Sequence, residues 1–475
     1  MTVIRISRIR LAHIKNVSHG EVVLRNPRRP DGGSFLALYG QNGSGKTALI
    51  DALAMLKVVM SGEAVPDRCE TLLEAGCSSS QISFEFEIQN DRTSWDVFYE
   101  LELSLQQGEA QRRIGIRREV LSVAKVCDGI RARKTKVMDT VGGELAFLPE
   151  VRLRTLVGGG KNRFDGKDAL LLLMRRQFEH ARGRSFIFSE SLRVQLEEKG
   201  SAGQLTREWS DTAKVIAMLG QYARRQLYVM SAEARALDLR PLFWSCGLLA
   251  EARHEEGPSD FEKSQIPESC LPMVKKAITR SSGVISKMIP GLRIDVRETG
   301  HVLLPNGERA VGIELMAERG GRLIRFEQES EGIKSIFSKL PLLIAVYNNS
   351  SVTVAIDDMD AGFFEYLLGE VLQLLTEKGR GQLIFTAQNL RPLEMMDRGF
   401  IAFTTTNAQE RYARMNRVRD VNNLRDVYYR EVSLGDGRFH ELTSSIEMGF
   451  ALKRASPEKG PWEVEPRVAR ETTER

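Results

Sequence analysis

The period of the apolar positions changes along this chain, and the changes mark out its parts. From Val3 to Leu24 apolar and polar residues alternate, giving two strands around His13-Ile14-Lys15-Asn16. Ile82, Phe84, Phe86 and Ile88 alternate within Gln81 to Ile88, and Asp96 to Leu105 repeats the pattern. With Ile114 to Val120 as a third strand, these predict an antiparallel layer. Between the two regions the run Phe35-Leu36-Ala37-Leu38-Tyr39 is apolar throughout, as expected of a strand buried on both faces. A turn-rich break, Pro27 to Gly33, precedes it, and helical spacing from Ala48 to Met60 follows the loop after it. From about Lys167 to Ile289 the spacing is helical, with helices predicted at Ala169 to Ala181, Asp211 to Leu237 and Leu271 to Met288. Gly183, Gly200, Gly203 and Gly257-Pro258 punctuate them, and no sustained heptad run indicates a coiled-coil arm. Gly158-Gly159-Gly160-Lys161 reads as a flexible link.

Beyond Pro290-Gly291 strands return at Leu292 to Arg297, Gly312 to Ala317 and Arg322 to Phe326. Helix Gly332 to Tyr347 then leads to strand Val352 to Ile356, helix Phe363 to Lys378, strand Gln382 to Thr386 and a strand at Phe400 to Thr404. That alternation implies a parallel sheet with ligands at the carboxyl ends of its strands. A chain of 475 residues exceeds one compact core. The expected parts are an N-terminal lobe over 1–120, a mainly helical insertion over 121–290, a C-terminal lobe over 291–435 and a last segment over 436–475. The tail from Ser456 is polar and reads as disordered.

Composition narrows the partners only a little. The chain carries a net charge of +5, a balance that permits nucleic-acid binding without requiring it. Arg112-Arg113, Arg117-Arg118 and Arg131 to Lys136 form one basic cluster, and Arg411, Arg414, Arg417 and Arg419 another. Each fits a solvated face or a nucleic-acid surface. Asn422-Asn423-Leu424-Arg425-Asp426, followed by Tyr428-Tyr429-Arg430, fits a strand cap or a docking segment. Neither a membrane span nor a signal peptide is recognisable, so the expected setting is cytoplasmic. The cysteines Cys69, Cys77, Cys127, Cys246 and Cys270 include no Cys-x-x-Cys pair, and the six histidines show no metal-ligand spacing.

The chemistry begins at Gly40-Gln41-Asn42-Gly43-Ser44-Gly45-Lys46-Thr47, a complete phosphate-binding loop between a predicted strand and a predicted helix. Gly40, Gly43 and Gly45 let backbone N–H groups turn toward phosphates, with Asn42 inside the same loop. Lys46 is placed to reach the β- and γ-phosphates, and Thr47 to hold Mg²⁺. Far downstream, Thr353 to Ile356 ends in Asp357 and Asp358, where a Mg²⁺-anchoring acid and a water-polarising acid would stand. Asp also favours turns, so the pair gains weight from its neighbours. Ser330 opens the next helix upstream, either as an N-cap or as part of a Ser-x-Gly signature with Gly332. Gln388 follows strand Gln382 to Thr386 at the position of a γ-phosphate sensor. Gln81 fits either a Mg²⁺-touching glutamine or a solvent-facing strand residue. Asp358-Met359-Asp360-Ala361-Gly362 also resembles the acidic motif of Toprim nucleases, which would need a sheet of its own.

The order of phosphate loop, long insertion, Ser-x-Gly, acid pair and sensor resembles ATP-binding-cassette ATPases of the RecF/SMC/OLD type. The Gly-x-Asn-Gly-x-Gly-Lys-Thr loop and the strand pair around Asn16 are similar to that group too, and within it the Glu329-Ser330-Glu331-Gly332 signature resembles that of stand-alone bacterial AAA-like ATPases, many linked to phage defence. The resemblance covers roughly residues 1–90 and 290–435. It implies an α/β phosphate-loop ATPase head, with a mixed central sheet, an antiparallel layer and a helical insertion. It further implies ATP and Mg²⁺ as ligands, and a homodimer or higher homo-oligomer in which Ser330 and Gly332 of one copy face Lys46 of another. The functions implied are a switch or sensor with a separate effector protein in defence or DNA surveillance, a RecF-like repair ATPase that clamps DNA, or an ATP-dependent scaffold. Two residues depart from the pattern: the family usually has Glu at Asp358 and His at Gln388. The shorter acid and the sensor without a titrating ring imply slow hydrolysis.

Overall fold

The apolar run before the phosphate loop forms strand Ser34–Tyr39, inside a six-stranded sheet. In the computed structural model this strand lies between Gln382–Thr386 and Ile401–Thr404, parallel to both. Thr353–Ile356 continues the parallel order beside Gln382–Thr386, then Leu227–Met230 beside Thr353–Ile356. Tyr412–Ala413 closes the opposite edge antiparallel. The structure describes residues 2–24, 32–66, 71–90, 93–107, 112–127, 130–141, 145–158, 166–231, 237–247, 264–303, 307–414, 424–428, 448, 450, 451 and 454. Gly159–Lys161, Gly257-Pro258, most of the Pro27–Gly33 break, Arg417, Arg419, Asn422-Asn423, Tyr429-Arg430 and the tail from Ser456 lie outside them.

Both faces of the central sheet are buried, which explains its unbroken apolar strands. Leu36 and Leu38 point into one core with Ala355, Ile384 and Ala402. Phe35, Ala37 and Tyr39 point into the other with Val354, Ile356, Leu383 and Phe385. Each such large side chain contributes about 1.5–3 kcal/mol by leaving water, so a charge at Leu38 would break the centre of the molecule. The first core is closed by helix Lys46–Met60 and by the antiparallel sheet. That sheet runs Val17–Val23, Val3–Ile14, Ser79–Asn90, Thr93–Gln107, Arg112–Cys127, with Thr135–Asp139 also paired to Arg112–Cys127. Gln382 ties the two sheets: its amide exchanges hydrogen bonds with the N–H and carbonyl of Ile6, each 2.8 Å long. The second core is closed by helices Glu331–Asn348, Glu365–Lys378 and Leu271–Met288, together with a small sheet of Ser264–Pro267, Leu292–Leu303, Arg309–Arg319 and Arg322–Arg325.

Five elements named here differ from the periodicity reading. The helix expected over Asp211 to Leu237 runs from Arg207 to Arg225, and Leu227–Met230 is instead a strand of the central sheet. Four apolar residues fit either structure by pattern; here the free edge beside Thr353–Ile356 supplies hydrogen-bond partners that favour the strand. The strand expected at Ile114 to Val120 extends over Arg112–Cys127. Helices Glu150–Val157 and Glu190–Ser201 had no counterpart in the reading, although Ser189 caps the latter by accepting from the N–H of Leu192.

Candidate nucleotide-binding site

At the carboxyl end of Ser34–Tyr39 the chain turns into helix Lys46–Met60 through a loop that only glycine allows at several points. Gly43 and Gly45 have φ of 74° and 97°, in the left-handed region. A Cβ at Gly40 would stand 1.7 Å from the hydroxyl of Thr404. Gly45 is the N-cap, so no side chain caps the first turn and no acidic residue lies in it. The first helical N–H groups and the positive end of the helix dipole therefore face the loop, an arrangement suited to an anion. Lys46 is 7% exposed. Its Nζ donates to the carbonyls of Gly40 at 2.7 Å and Gln41 at 2.9 Å, folding back over the loop. Thr47, Asn42 and Gly43 are exposed.

Neighbouring strands hold the loop from behind. Asn16 donates to the Gly43 carbonyl, and Arg411 donates to the Asn16 carbonyl at 2.5 Å and to that of Thr405 at 2.8 Å. The Tyr412 hydroxyl donates to the Gly45 carbonyl at 2.9 Å, and Thr404 donates to Ser44 Oγ at 2.6 Å. Arg411 entered the sequence reading as one of a basic cluster, but the structure buries it as a brace.

The acid pair follows Thr353–Ile356, separated from the phosphate-loop strand by Gln382–Thr386. Asp357 is 5% exposed, and its backbone N–H donates to Met230, on the strand that the periodicity missed. Thr386 Oγ1 donates to Asp357 Oδ1 at 2.5 Å and accepts from the Asp358 N–H at 2.9 Å. Among the described residues Asp357 Oδ2 is buried without a hydrogen-bond partner, which is costly for a carboxylate unless a cation meets it. Asp358 takes φ of 50°. Burial and the charge of Asp357 raise its carboxyl above the usual range, against the opposing effect of the nearby Gln388 side chain. Asp360 Oδ2 accepts the N–H groups of Gln388 at 3.0 Å and Asn389 at 2.7 Å. Burial lowers the Lys46 ammonium, while Asp358, Asp357 and Asp360 pull the other way. The two ends of the site thus share one electrostatic field, although the sequence separates them by about three hundred residues.

Lys339 was missed. Only 4% exposed, it donates to the carbonyls of Ala361 at 2.6 Å and Met359 at 3.2 Å, and to Ser335 Oγ at 3.1 Å. Burial pushes its pKa down to about 8. It pins the loop that follows the acid pair. The available signal was a lysine in the apolar stretch Ile336 to Leu343, on a face the helix must bury.

Ser330 caps helix Glu331–Asn348, its Oγ accepting from the Ile333 N–H at 3.4 Å. Gly332 packs on the loop after the acids, since a Cβ there would lie 3.3 Å from the Gly362 carbonyl. No hydrogen bond among the described residues joins Ser330 or Gly332 to residues 40–47 of the same chain. Gln81 is exposed, opposite Ala12 and Glu102 in the antiparallel sheet, and is not hydrogen-bonded to the Lys46–Asp357 cluster. The separate sheet required by the Toprim reading is not formed, because Thr353–Ile356 belongs to the sheet of the phosphate-loop strand. Thr47 and Asp357 offer oxygen donors of the kind a hard dication such as Mg²⁺ takes, and the orphaned Asp357 Oδ2 fits that demand. Among the described residues no helix is long and apolar enough to cross a membrane.

No family model matches the chain. No curated protein matches it. Among solved structures, it aligns with an Smc head bound to the C-winged helix domain of ScpA at 14% identity and a TM-score of 0.44, covering 86% of this chain and 98% of that one. An Smc head domain with an extended coiled coil, bound to the C-terminal domain of ScpA and derived from Pyrococcus furiosus, aligns at 14% identity and a TM-score of 0.40, covering 87% and 96%. An Smc head domain with a coiled coil and joint from Pyrococcus yayanosii aligns at 12% identity and a TM-score of 0.37, covering 91% and 100%. Overlap at that level does not decide an activity, which has to come from the chain's own residues.

Proposed function

We propose that this chain is an ATP-binding-cassette-type ATPase that binds Mg-ATP, hydrolyses it slowly and acts as a dimeric switch with a separate effector protein, in phage defence or DNA surveillance. The observation that carries the ATPase reading is the convergence of an uncapped phosphate loop, Lys46 and the half-orphaned carboxylate of Asp357 at the carboxyl ends of two parallel strands that flank Gln382–Thr386. Lys46 would leave the carbonyls of Gly40 and Gln41 for the phosphates, with the loop N–H groups around them. Thr47 and Asp357 would hold Mg²⁺, which neutralises phosphate charge when bound. Asp358 would orient and deprotonate the attacking water, and Gln388 would meet the γ-phosphate. Gln388 stands near Asp358 and favours its ionised form, and the shorter acid with a sensor that lacks a titrating ring supports low turnover. The helix start at Ser330 and Gly332 is exposed or half-exposed and, among the described residues, has no hydrogen bond to residues 40–47 of the same chain, which supports its use by a second copy.

The test is nucleotide binding and steady-state hydrolysis by the full chain, with sedimentation in ATP and Mg²⁺. Binding that is lost in Lys46→Ala, with dimers that form only with ATP and vanish in Ser330→Arg, is the expected result. Turnover well above the ~10 s⁻¹ typical of enzymes would overturn the slow switch. Strong salt-sensitive stimulation by double-stranded DNA would replace it with a DNA clamp. Binding and dimerisation without any hydrolysis would leave a scaffold.

A further inference from the structure

Next to the phosphate loop, but outside the site above, the fold gathers three side chains that are far apart in sequence. His13 ends the strand Val3–Ile14 with φ of 58°, and Lys15 follows at 51°, both in the left-handed region that non-glycine residues seldom occupy. This turn is stitched to the segment after helix Lys46–Met60. The Lys15 N–H donates to Leu72 at 2.7 Å, the Glu74 N–H to His13 at 3.1 Å and the Cys77 N–H to Glu74 at 3.0 Å. The result is that His13 Nδ1, a Glu74 carboxylate oxygen and Cys77 Sγ all lie within 4.8 Å of one another.

The spacing suits a shared ion. Cys77 Sγ is 3.4 Å from His13 Nδ1 and 3.7 Å from Glu74 Oε2. Tetrahedral zinc with bonds of ~2.3 Å to sulfur and ~2.0–2.1 Å to nitrogen or oxygen places its ligands about 3.5 Å apart. Only the 2.6 Å contact between His13 Nδ1 and Glu74 Oε2 has to open. Ser18 donates to the other carboxylate oxygen of Glu74, the kind of outer partner that orients a metal-bound carboxylate. The ring of His13 is 47% exposed and the side chain of Glu74 22%, so an ion can reach the cluster from solvent. One sulfur, one nitrogen and one oxygen donor make a borderline-soft set, wrong for Mg²⁺ and right for Zn²⁺.

We propose that His13, Glu74 and Cys77 form a zinc site with three protein ligands and an open fourth position. Binding replaces the thiol proton of Cys77 with the metal, releases that proton, and leaves the His13 ring proton on Nε2. Its ligand His13 lies three residues before Asn16, which grips the Gly43 carbonyl, and so the site braces the turn that supports the phosphate loop.

The full chain, reduced and stripped of metal, is titrated with Zn²⁺ alone against a chromophoric chelator, and separately with Co²⁺ alone, both without nucleotide. We expect one equivalent bound, with a thiolate-to-cobalt charge-transfer band and the visible bands of tetrahedral Co²⁺. Cys77→Ser should remove the charge-transfer band and weaken Zn²⁺ by at least about 100-fold, more than outer partners usually account for. His13→Asn should weaken it by about 10-fold or more, while Cys127→Ser, altering an exposed cysteine elsewhere, should change nothing. Near-ultraviolet circular dichroism checks that each variant is folded, and His13→Asn carries the test if Cys77→Ser is not. Absence of stoichiometric Zn²⁺ binding, or an unchanged charge-transfer band in folded Cys77→Ser, overturns the proposal and leaves the nucleotide reading untouched.

Discussion

Lys46 and Glu331 each begin a helix that points its N-terminus toward the proposed nucleotide chemistry, but the two helix starts are built in opposite ways. The phosphate-loop helix has a glycine cap, no acidic residue in its first turn and no side chain on its free N–H groups. The helix at Ser330 has a serine cap bonded to Ile333 and an acidic Glu331 in its first turn. The first is electrostatically open to a multiply charged anion. The second is already satisfied, and its negative residue repels a phosphate unless a second copy brings one with its charge neutralised. Two helix N-termini can therefore differ in affinity through a cap and one carboxylate. Binding at the first should precede assembly at the second.

That contrast can be broken at several points. Lys46→Ala removes the one cation inside the loop and should lower ATP affinity, read by calorimetry, by about 10²–10³-fold, in line with the loss of a single buried oxyanion donor. Retained affinity would mean that the glycine-capped end does not bind phosphate. Asp358→Asn should leave binding within a few-fold and reduce hydrolysis by about 10²-fold or more, the usual contribution of a positioned base. Restoring the longer acid and the ring, Asp358→Glu with Gln388→His, should speed single-turnover hydrolysis.

Smaller effects separate the two caps. Gly45→Ala forces a side chain into φ of 97° and within 2.9 Å of Val17; chemical denaturation should show a loss of about 1–3 kcal/mol and weakened nucleotide binding. Ser330→Ala removes only the cap and should cost about 1 kcal/mol, with nucleotide binding to the monomer unchanged. If Ser330→Ala impaired monomer binding as strongly as Gly45→Ala, the division of labour between the two helices would be wrong.

Much of the central sheet was legible because its strands are buried on both faces and flanked by turn residues. Ser34–Tyr39, Thr353–Ile356 and Gln382–Thr386 stand where their apolar runs place them. Leu227–Met230 was not legible, since four apolar residues after a helix look like more helix until the sheet edge is known. Arg411 and Asn16 escaped for another reason: their partners are backbone carbonyls, which leave no mark on residue identity. Lys339 did leave one, as a charge on a buried face, and it was passed over.

By itself the sequence determined the phosphate loop, because that loop is a local structure. Its glycines, its lysine and the flanking strand and helix are contiguous, and the required backbone dihedrals select the residues directly. Tertiary structure alone decided which distant groups meet it. The orphaned oxygen of Asp357, the placing of Gln388 near Asp358, and the gathering of His13, Glu74 and Cys77 all depend on strand order and on turns stitched by backbone hydrogen bonds. Contacts of that kind carry no spacing rule, so only the folded chain could reveal them.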